Sequence, residues 1–285
     1  MKTINGKLLA EELNKDLIKK NLQFKQKFNK KPCLTVILVG DNLASSIYVK
    51  NKEKKAAEVG IESVVISLNK DIDEKKLLEV IESLNKDDKV DGILVQLPLP
   101  NHIDSNKVID KINPNKDVDG FNSKNIGLLA LGRPKVIPCT PLGCYKMLEN
   151  ITNLEGKNVV ILGRSNIVGK PLAYLLTNKN ATVTLAHSKT KGVDKICMNS
   201  DIIVAAIGKP KFVKHTWVNK KSIILDVGIN IIDDSGRRKI VGDVDFEKIY
   251  SNVSAISPVP GGVGPMTIHC LLLNTFNLAN FRANS

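Results

Sequence analysis

The sequence predicts an α/β protein of two domains, and two observations carry this prediction. Short apolar runs alternate with helix-like stretches through the first half of the chain, and the same alternation starts again near residue 158. Apolar runs without strict polar alternation are typical of parallel strands covered on both faces, and the helices between them indicate βαβ units. The chain has 285 residues, of which 42% are hydrophobic, so it is long enough for two such domains.

The first half begins with a helical pattern and then alternates strands with helices. The predicted helices are 8–22, 45–59 and 73–85, and the predicted strands are 34–40, 64–68 and 92–100. Residues 101–139 are less regular and carry Asn, Asp, Gly and Pro, which favour turns. We therefore expect a connecting region there that also builds part of a site.

The second half opens on a helix, with Thr140 as its expected N-cap and Pro141 at the first helical position. Next come predicted strands at 158–163, 182–187, 201–208 and 222–229, and a predicted helix at 168–178. The tail at 266–281 is a helix too apolar to stand free, so we expect it to pack against the first domain. The predicted domains are 1–139, onto which a C-terminal helix at 266–285 packs back, and 140–265.

The chain is strongly basic, with 42 Lys and Arg against 29 Asp and Glu and a formal net charge of +13. Such an excess first suggests nucleic-acid binding. However, Arg occurs at only five positions, and proteins that read bases use Arg heavily because its planar fork pairs bidentately with guanine. We therefore favour compositional drift and attraction for small anions, and expect no nucleic-acid partner.

The cysteines and histidines predict neither disulfides nor a metal centre. The five cysteines include no C-x-x-C pair, and an odd, scattered set indicates reduced thiols in a cytoplasmic protein. The four histidines lack ligand spacing such as H-E-x-x-H, so no metal is expected. The N-terminus has no apolar signal core and no apolar run reaches 18 residues, so no targeting peptide, membrane span or membrane partner is expected.

A glycine-containing turn follows the predicted strand 158–163 and opens a helix. It reads GRSNIVGKP, so five residues separate Gly163 from Gly169, and a proline follows the lysine. A P-loop requires four intervening residues and a hydroxyl after the lysine, which excludes a nucleoside triphosphatase of that type. The strand–turn–helix context instead favours a dinucleotide site over a plain βα turn.

The end of the next predicted strand indicates whether the dinucleotide is NAD or NADP. Sites that prefer NAD usually place a carboxylate there to bind the ribose 2′-hydroxyl. This chain has His187, Ser188 and Lys189 instead, and a 2′-phosphate would meet Ser188, Lys189 and Arg164. The pattern favours NADP, whereas each residue alone is equally typical of a solvated loop.

Two segments of the first half place polar side chains where a ligand could reach them. Tyr48 and Lys52 lie at positions i and i+4 and share one helix face, although a lone lysine is more often a solvated one. Gln96 stands near the carboxyl end of a predicted strand, the edge where α/β sheets bind ligands, or is simply a polar strand end. The aspartates of 115–120 resemble the start of an EF-hand, but Ile126 replaces its bidentate glutamate. These aspartates either bind donor nitrogens of a ligand or form Asx turns.

A loop at 257–267 is dense in proline and glycine and opens the last predicted helix. It has three glycines within four positions, more than an ordinary turn needs. Because glycine lets the backbone approach another group closely, the loop is predicted to contact a ligand.

Taken together, these segments resemble the bifunctional methylenetetrahydrofolate dehydrogenase/cyclohydrolase family over essentially the whole chain. The matching motifs, in family order, are YVKNK at 48–52, DGILVQLPLP at 91–100, KDVDGF at 116–121, PCTP at 138–141, GRSNIVGKP at 163–171 and PGGVGPMT at 260–267. Each motif is modest evidence, and six at family spacing are highly specific.

The resemblance implies two α/β domains flanking a cleft, the second a Rossmann-like NADP-binding domain, in a homodimer. It implies NADP-dependent oxidation of 5,10-methylenetetrahydrofolate to 5,10-methenyltetrahydrofolate, followed by hydrolysis to 10-formyltetrahydrofolate. These reactions belong to the one-carbon metabolism that serves purine biosynthesis. Two alternatives stay open: another NADP oxidoreductase of similar architecture, such as a relative of shikimate dehydrogenase, and a basic nucleic-acid-binding protein that has lost catalysis.

The resemblance also implies roles for individual residues. Lys52 would be the general acid/base and Gln96 would tune it, while Tyr48 would orient the folate and Asp119 would hold the pterin. The other implied substrate-binding residues are Leu97, Pro98, Pro260, Gly261 and Gly262. The implied cofactor-binding residues are Thr140, Gly163, Arg164, Ser165, Val168, Gly169, His187, Ser188 and Ile229.

Overall fold

The structure, a computed structural model, describes residues 2–234 and 236–284. Its strands are β1 Lys2–Thr3, β2 Cys33–Val39, β3 Glu62–Leu68, β4 Gly92–Val95, β5 Asn158–Leu162, β6 Thr182–Ala186, β7 Ile202–Ala205, β8 Ile223–Asp226, β9 Asn230–Asp234, β10 Arg237–Val241 and β11 Ala255–Ile256. Its helices are α1 Gly6–Phe28, α2 Leu43–Glu58, α3 Glu74–Lys86, α4 Ser105–Lys111, α5 Ser123–Ala130, α6 Cys139–Glu149, α7 Gly169–Thr177, α8 Val193–Met198, α9 Phe246–Ile249 and α10 Val263–Ala283. The α/β class predicted from the sequence is confirmed.

The chain divides into two compact units. The three-stranded unit comprises Glu12–Cys139 and residues 268–284, and the described part of the six-stranded unit comprises residues 2–11, 140–234 and 236–267. At its start, the predicted division differs from the structure. The first residues belong to the six-stranded unit because β1 pairs in parallel with β11, Lys2 opposite Ala255.

The three-stranded unit has a parallel sheet in the order β3-β2-β4. Central strand β2 is buried along its whole length, as the apolar run predicts. On one face of the sheet, the fully buried side chains of Leu77 and Ile81 from α3 and Val108 from α4 join the apolar cluster that contains Ile37 and Ile93. This packing fixes the carboxyl end of β4, where Gln96 follows.

The six-stranded unit has parallel strands in the order β1-β11-β8-β7-β5-β6. The chain passes from β5 through α7 to β6 on one side and then returns to β7 on the other side of β5. Between β5 and β7 the strand order therefore reverses, and dinucleotides bind at such a point in doubly wound sheets. The antiparallel hairpin of β9 and β10 lies outside this sheet.

Several predicted elements need correction. The sequence predicts no helix within the less regular residues 101–139, but they contain α4 and α5. The side chains of Asp104 and Asn122 cap these helices by accepting from the amides of Asn106 and Lys124, both at 2.9 Å. Strand β4 ends at Val95 rather than at residue 100, and α10 starts at Val263, inside the predicted loop.

The expected N-cap at Thr140 is wrong. Helix α6 already begins at Cys139, so Thr140 lies inside its first turn. Its hydroxyl oxygen is 3.1 Å from the hydroxyl oxygen of Thr267, a contact within the six-stranded unit.

The turn after β5 depends on glycine at position 163. Gly163 has a φ of 115°, and a Cβ built there would lie 2.1 Å from the carbonyl oxygen of Ala206. We expect Gly163→Ala to lower the free energy of unfolding by about 1–3 kcal/mol because φ and the contact are both unfavourable for alanine. Urea unfolding monitored by circular dichroism measures this loss.

Gly127 provides the matched control for this substitution. It lies within α5, and a Cβ there would meet no atom within 4 Å. Gly127→Ala should raise the free energy of unfolding by roughly 0.5–1 kcal/mol, since alanine is the better helix former. Equal effects of the two substitutions would contradict the contact at Gly163.

Candidate active site

A buried lysine is the centre of the candidate site in the three-stranded unit. Lys52 lies on α2 and is 6% exposed, and its Nζ donates to Oε1 of Gln96 at 3.0 Å. The same Nζ lies 4.9 Å from the centre of the Tyr48 ring, one helical turn earlier. The i, i+4 spacing therefore puts both side chains on one helix face, as predicted.

Burial lowers the pKa of Lys52 below its usual value because the charged ammonium loses hydration, and the nearby carboxylate of Asp119 opposes this. The phenol of Tyr48 responds to the same surroundings. Burial, with a contribution from Asp119, raises the pKa of Tyr48 to about 12. Tyr48 is therefore neutral at physiological pH and serves as an aromatic surface and a hydroxyl donor.

Gln96 is held in place from both sides. Its backbone amide continues the sheet by donating to the carbonyl of Ile37 at 2.9 Å, and its Nε2 donates to the carbonyl of Leu97 at 2.7 Å. Since a carbonyl only accepts, these contacts turn Oε1 towards Lys52. A neutral amide orients the amine without the strong stabilisation of ammonium that a carboxylate would provide.

The structure assigns different surroundings to the two aspartates of the 116–121 motif. The carboxylate of Asp117 is 1% exposed and accepts from the amides of Gly120 and Asn122 and from Nδ2 of Asn125, at 2.9–3.0 Å. These hydrogen bonds stabilise the turn and occupy Asp117. The carboxylate of Asp119 instead lies within electrostatic reach of Lys52.

Asp119 is half-buried, and the loss of hydration raises its pKa above the usual value. The positive charge of Lys52 and the neighbouring Cys139 side chain act in the opposite direction, and the Cys139 thiol donates its proton to the carbonyl of Val118 at 3.3 Å. Asp119 and Leu97 also line one small cavity of about 10 Å³. Pro98, which follows through a cis peptide bond, is exposed at this edge.

Two residues beside Asp119 were not predicted as part of the site. The thiol of Cys139 is 2% exposed, and burial raises its pKa well above the usual value, so it remains protonated. Nδ2 of Asn274, on α10, donates to the carbonyls of Val118 and Ile137, both at 2.9 Å. The PCTP motif pointed to the position of Cys139, whereas the only signal for Asn274 was a polar residue in an apolar helix.

The candidate dinucleotide site lies at the carboxyl edge of the sheet in the six-stranded unit. A Cβ on Gly169 would lie 2.0 Å from the carbonyl oxygen of Gly163, so the first turn of α7 packs directly on the turn after β5. Oγ of Ser165 accepts from the amides of Val168 and Gly169, at 3.1 and 3.4 Å. The hydroxyl proton of Ser165 remains able to donate, and the side chain of Arg164 is exposed.

A tight turn follows β6. The amide of His187 donates to Oγ1 of Thr190 at 2.9 Å, and the imidazole Nδ1 of His187 accepts from the amide of Lys189 at 3.2 Å. The neutral ring therefore carries its proton on Nε2. Ser188 and Lys189 are exposed, so this strand end offers donors and a positive charge.

The remaining candidate residues lie in three other segments of the six-stranded unit. Ile229, between β8 and β9, is 59% exposed, unusual for its side chain. Pro260 follows a cis peptide bond and Gly261 has a φ of 103°. The backbone of this loop is fixed by the amide of Lys7, which donates to the carbonyl of Gly261 at 3.0 Å. Thr140 has the hydroxyl contact described above.

Within residues 2–234 and 236–284, no group of three or more His, Cys, Asp or Glu is arranged to hold a metal ion. No helix among these same residues is long and apolar enough to cross a membrane.

Comparison with known proteins identifies the family. The catalytic domain of tetrahydrofolate dehydrogenase/cyclohydrolase matches residues 4–119, and the NAD(P)-binding domain of the same family matches residues 138–283. The chain belongs to the tetrahydrofolate dehydrogenase/cyclohydrolase family. The resemblance read from the six motifs is confirmed, and the alternative of a shikimate dehydrogenase relative is excluded.

Individual family members are similar over almost their whole length. The bifunctional protein FolD of Pelagibacter ubique is 54% identical over 273 residues, covering 95% of this chain and 96% of that protein. The crystal structure of the bifunctional enzyme FolD, methylenetetrahydrofolate dehydrogenase/cyclohydrolase, from Campylobacter jejuni has a TM-score of 0.95 at 48% identity, with 99% of each chain covered.

A third relative was solved with a cofactor. The Trypanosoma brucei methylenetetrahydrofolate dehydrogenase-cyclohydrolase, complexed with NADP and an inhibitor, has a TM-score of 0.95 at 34% identity. The comparison covers 99% of this chain and 98% of that one. This chain shares the two-domain α/β fold of these relatives, with a parallel sheet and a Rossmann-like domain.

Proposed function

We propose that this protein oxidises 5,10-methylenetetrahydrofolate to 5,10-methenyltetrahydrofolate with NADP and hydrolyses the product to 10-formyltetrahydrofolate. The observation that carries the proposal is the buried Lys52 amine, held by the neutral amide of Gln96 and flanked by Tyr48 and Asp119. Family membership supports both reactions, and the matched NAD(P)-binding domain supports the cofactor.

The residues of the dinucleotide turn fit NADP. Gly163 and Gly169 leave no space for a side chain, so the backbone and the amides of the first turn of α7 can approach a pyrophosphate. Arg164, Ser188 and Lys189 are exposed, and the turn after β6 has no carboxylate to repel a 2′-phosphate. Thr140, Ser165, Val168, His187 and Ile229 complete the proposed cofactor-binding set.

The oxidation requires alignment of the folate rather than proton transfer. When bound, NADP supplies the nicotinamide ring that accepts the hydride. The methylene carbon loses this hydride and becomes the methenyl cation, so no base takes part in the step. Tyr48 would orient the folate with its ring, and Leu97, Pro98 and the Pro260–Gly262 segment would complete the substrate contacts.

The hydrolysis does require proton transfer. Water adds to the methenyl carbon and loses a proton, and a ring nitrogen gains a proton when its bond to that carbon breaks. Lys52 can carry both transfers because its lowered pKa increases the fraction of neutral amine near pH 7. Gln96 keeps the amine oriented, and Asp119 accepts hydrogen bonds from the donor edge of the pterin.

An absorbance assay with methylenetetrahydrofolate and NADP tests the proposal directly. The absorbance of the NADPH formed reports the oxidation, and loss of methenyltetrahydrofolate absorbance in a separate reaction without NADP reports the hydrolysis. Purified protein that performs neither reaction would overturn the assignment. Duplex DNA binding with a steep salt dependence in such a sample would favour the nucleic-acid alternative.

A homodimer in the cytoplasm completes the proposal. The edge strand β6 is open to pairing on one side of the sheet, and the odd number of cysteines, none of them in a C-x-x-C pair, suits a reducing compartment. Light scattering should give twice the chain mass of 31.2 kDa. A mass of one chain at micromolar concentration would contradict the dimer.

The first functional prediction separates the two activities at Lys52. Lys52→Met keeps the apolar stem and removes the amine, so cyclohydrolase activity should fall by at least ~100-fold. Part of the dehydrogenase activity should persist, and methenyltetrahydrofolate should accumulate. In the wild type, the pH profile of hydrolysis should contain an ionisation below the usual lysine range, and this ionisation should be absent from the variant.

The exposed Lys54 of the same helix is the control, and Lys54→Met should behave as wild type in both assays. Wild-type hydrolysis by Lys52→Met would exclude Lys52 as the acid/base.

The second functional prediction concerns Asp119. Without its carboxylate, pterin donors would be buried without an acceptor, at a cost of about 1–3 kcal/mol. Asp119→Ala should weaken folate binding by about tenfold or more and leave NADP binding nearly unchanged, as measured by calorimetry. The exposed Asp71 offers a control, Asp71→Ala, that should alter neither affinity. Unchanged folate affinity in Asp119→Ala would contradict the role of Asp119.

The third functional prediction is a preference for NADP over NAD, measured as the ratio of kcat/KM values at fixed folate. Arg164→Ala should reduce this ratio because the 2′-phosphate loses a cationic partner. Lys195→Ala, an exposed site on α8, should leave the ratio unchanged. Equal use of both cofactors by the wild type would contradict the prediction, and an unaltered ratio in Arg164→Ala would remove Arg164 from the phosphate site.

A further inference from the structure

We infer that Asp243 is a positioning residue for cofactor binding, which it serves by holding the loops after β7 and β8 at the carboxyl edge of the six-stranded sheet. The inference rests on the proposed function, since it assumes that this edge binds NADP. Asp243 would not touch the cofactor itself.

The carboxylate of Asp243 is fully buried and binds donors from two loops. Oδ2 accepts from the amides of Ile207 and Gly208 at 2.6 and 2.9 Å, and Oδ1 accepts from the amide of Lys209 at 2.9 Å. These three consecutive amides follow β7. Oδ1 also accepts from Nδ2 of Asn230, at 2.9 Å, which follows the β8 loop. All four partners are N–H groups that donate to the two carboxylate oxygens, so one side chain fixes both loops.

A second buried carboxylate fixes Asp243 in turn. Oδ1 of Asp226, the last residue of β8, accepts from the amides of Gly228 and Asp243, and Oδ2 accepts from the amide of Val244. The space between these groups is filled. A Cβ on Gly228 would lie 2.2 Å from the carboxylate of Asp243, and one on Gly242 would lie 1.8 Å from that of Asp226. Asp243 therefore has little freedom to move away from the loops it holds.

The loop held by Asp243 forms one wall of the dinucleotide turn. The amide of Ala206 donates to the carbonyl of Leu162, and the carbonyl of Ala206 lies where a Cβ of Gly163 would be. Asn230 directly follows the exposed Ile229, one of the proposed cofactor-binding residues. A shift of Ile207–Lys209 or Asn230 would consequently change the surface that the cofactor meets, while Lys52 and its partners belong to the other unit.

Asp243→Asn tests the inference with minimal change in volume. The new NH₂ group would face backbone N–H donors, so the two loops should separate from residue 243. We expect NADP affinity, measured by calorimetry and by quenching of Trp217 fluorescence, to fall by about tenfold or more. Hydrolysis of methenyltetrahydrofolate, assayed without NADP, should stay within about twofold of wild type.

Asp245→Asn is the matched control from the same segment. Its carboxylate lies 3.6 Å from Nζ of the exposed Lys248 and belongs to neither loop, so NADP affinity should remain at the wild-type value. Equal losses of NADP binding and hydrolysis in a folded Asp243→Asn protein would show a general structural role and overturn the inference. Unchanged NADP affinity would overturn it as well.

A milder variant decides the question if Asp243→Asn does not fold. Asn230→Ala removes one donor and leaves three backbone amides on the carboxylate. It should still weaken NADP binding by about threefold or more, and an unchanged affinity would overturn the inference. If the wild-type protein itself binds no NADP, the proposed function fails rather than the role of Asp243.

Discussion

Burial of the Lys52 amine is the constraint on which the arrangement of the three-stranded unit depends. An ammonium ion loses much of its hydration in a buried site. Either nearby acceptors and negative charges replace that hydration, or the pKa of the group falls. Here the nearest acceptor is the neutral Gln96, at 3.0 Å, and the carboxylate of Asp119 compensates only in part. The balance keeps the amine oriented and lowers its pKa, which is the combination that proton transfer in both directions requires.

This balance depends on hydrogen bonds and close packing that fix the backbone around Gln96 and Asp119. Gln96 can hold the amine only because the sheet bond to Ile37 and the contact with Leu97 fix its amide. Asp119 can bind a ligand because the hydrogen bonds of the turn are made by Asp117 instead. Asn274 donates to the carbonyls of Val118 and Ile137 and so fixes the backbone next to Asp119. A Cβ on Gly92 would lie 2.3 Å from Cγ1 of Val118, so even the start of β4 is fitted to the segment that carries Asp119.

The seven long apolar strands and the shared helix face of Tyr48 and Lys52 could be predicted because each depends on a local pattern, whereas β9, β10 and β11 were not predicted. Apolar runs mark buried parallel strands, and the i, i+4 spacing places Tyr48 beside Lys52. Helices α4 and α5 were not predicted because each is too short to show a clear hydrophobic period, although Asp104 and Asn122 are ordinary N-cap residues. Asn274, Asp243 and the position of β1 could not be predicted, since their partners lie more than ten residues away or at the other end of the chain. Likewise, the motif alone does not separate Asp117 from Asp119; the family resemblance implies a role for Asp119, and the structure adds that Asp117 is engaged in the turn.

The interleaving of the two units has a consequence for synthesis on the ribosome. The first strand, β1, finds its partner β11 only after some 250 intervening residues have been made. The three-stranded unit, although most of its residues are translated first, also needs the end of α10, where Asn274 and Arg282 contact it. Neither unit can therefore be completed during translation of its own main segment. The six-stranded unit is completed only when β11 has been made, and the three-stranded unit only when α10 has been made. A ribosome that stops before α10 therefore releases a chain in which the three-stranded unit is still incomplete.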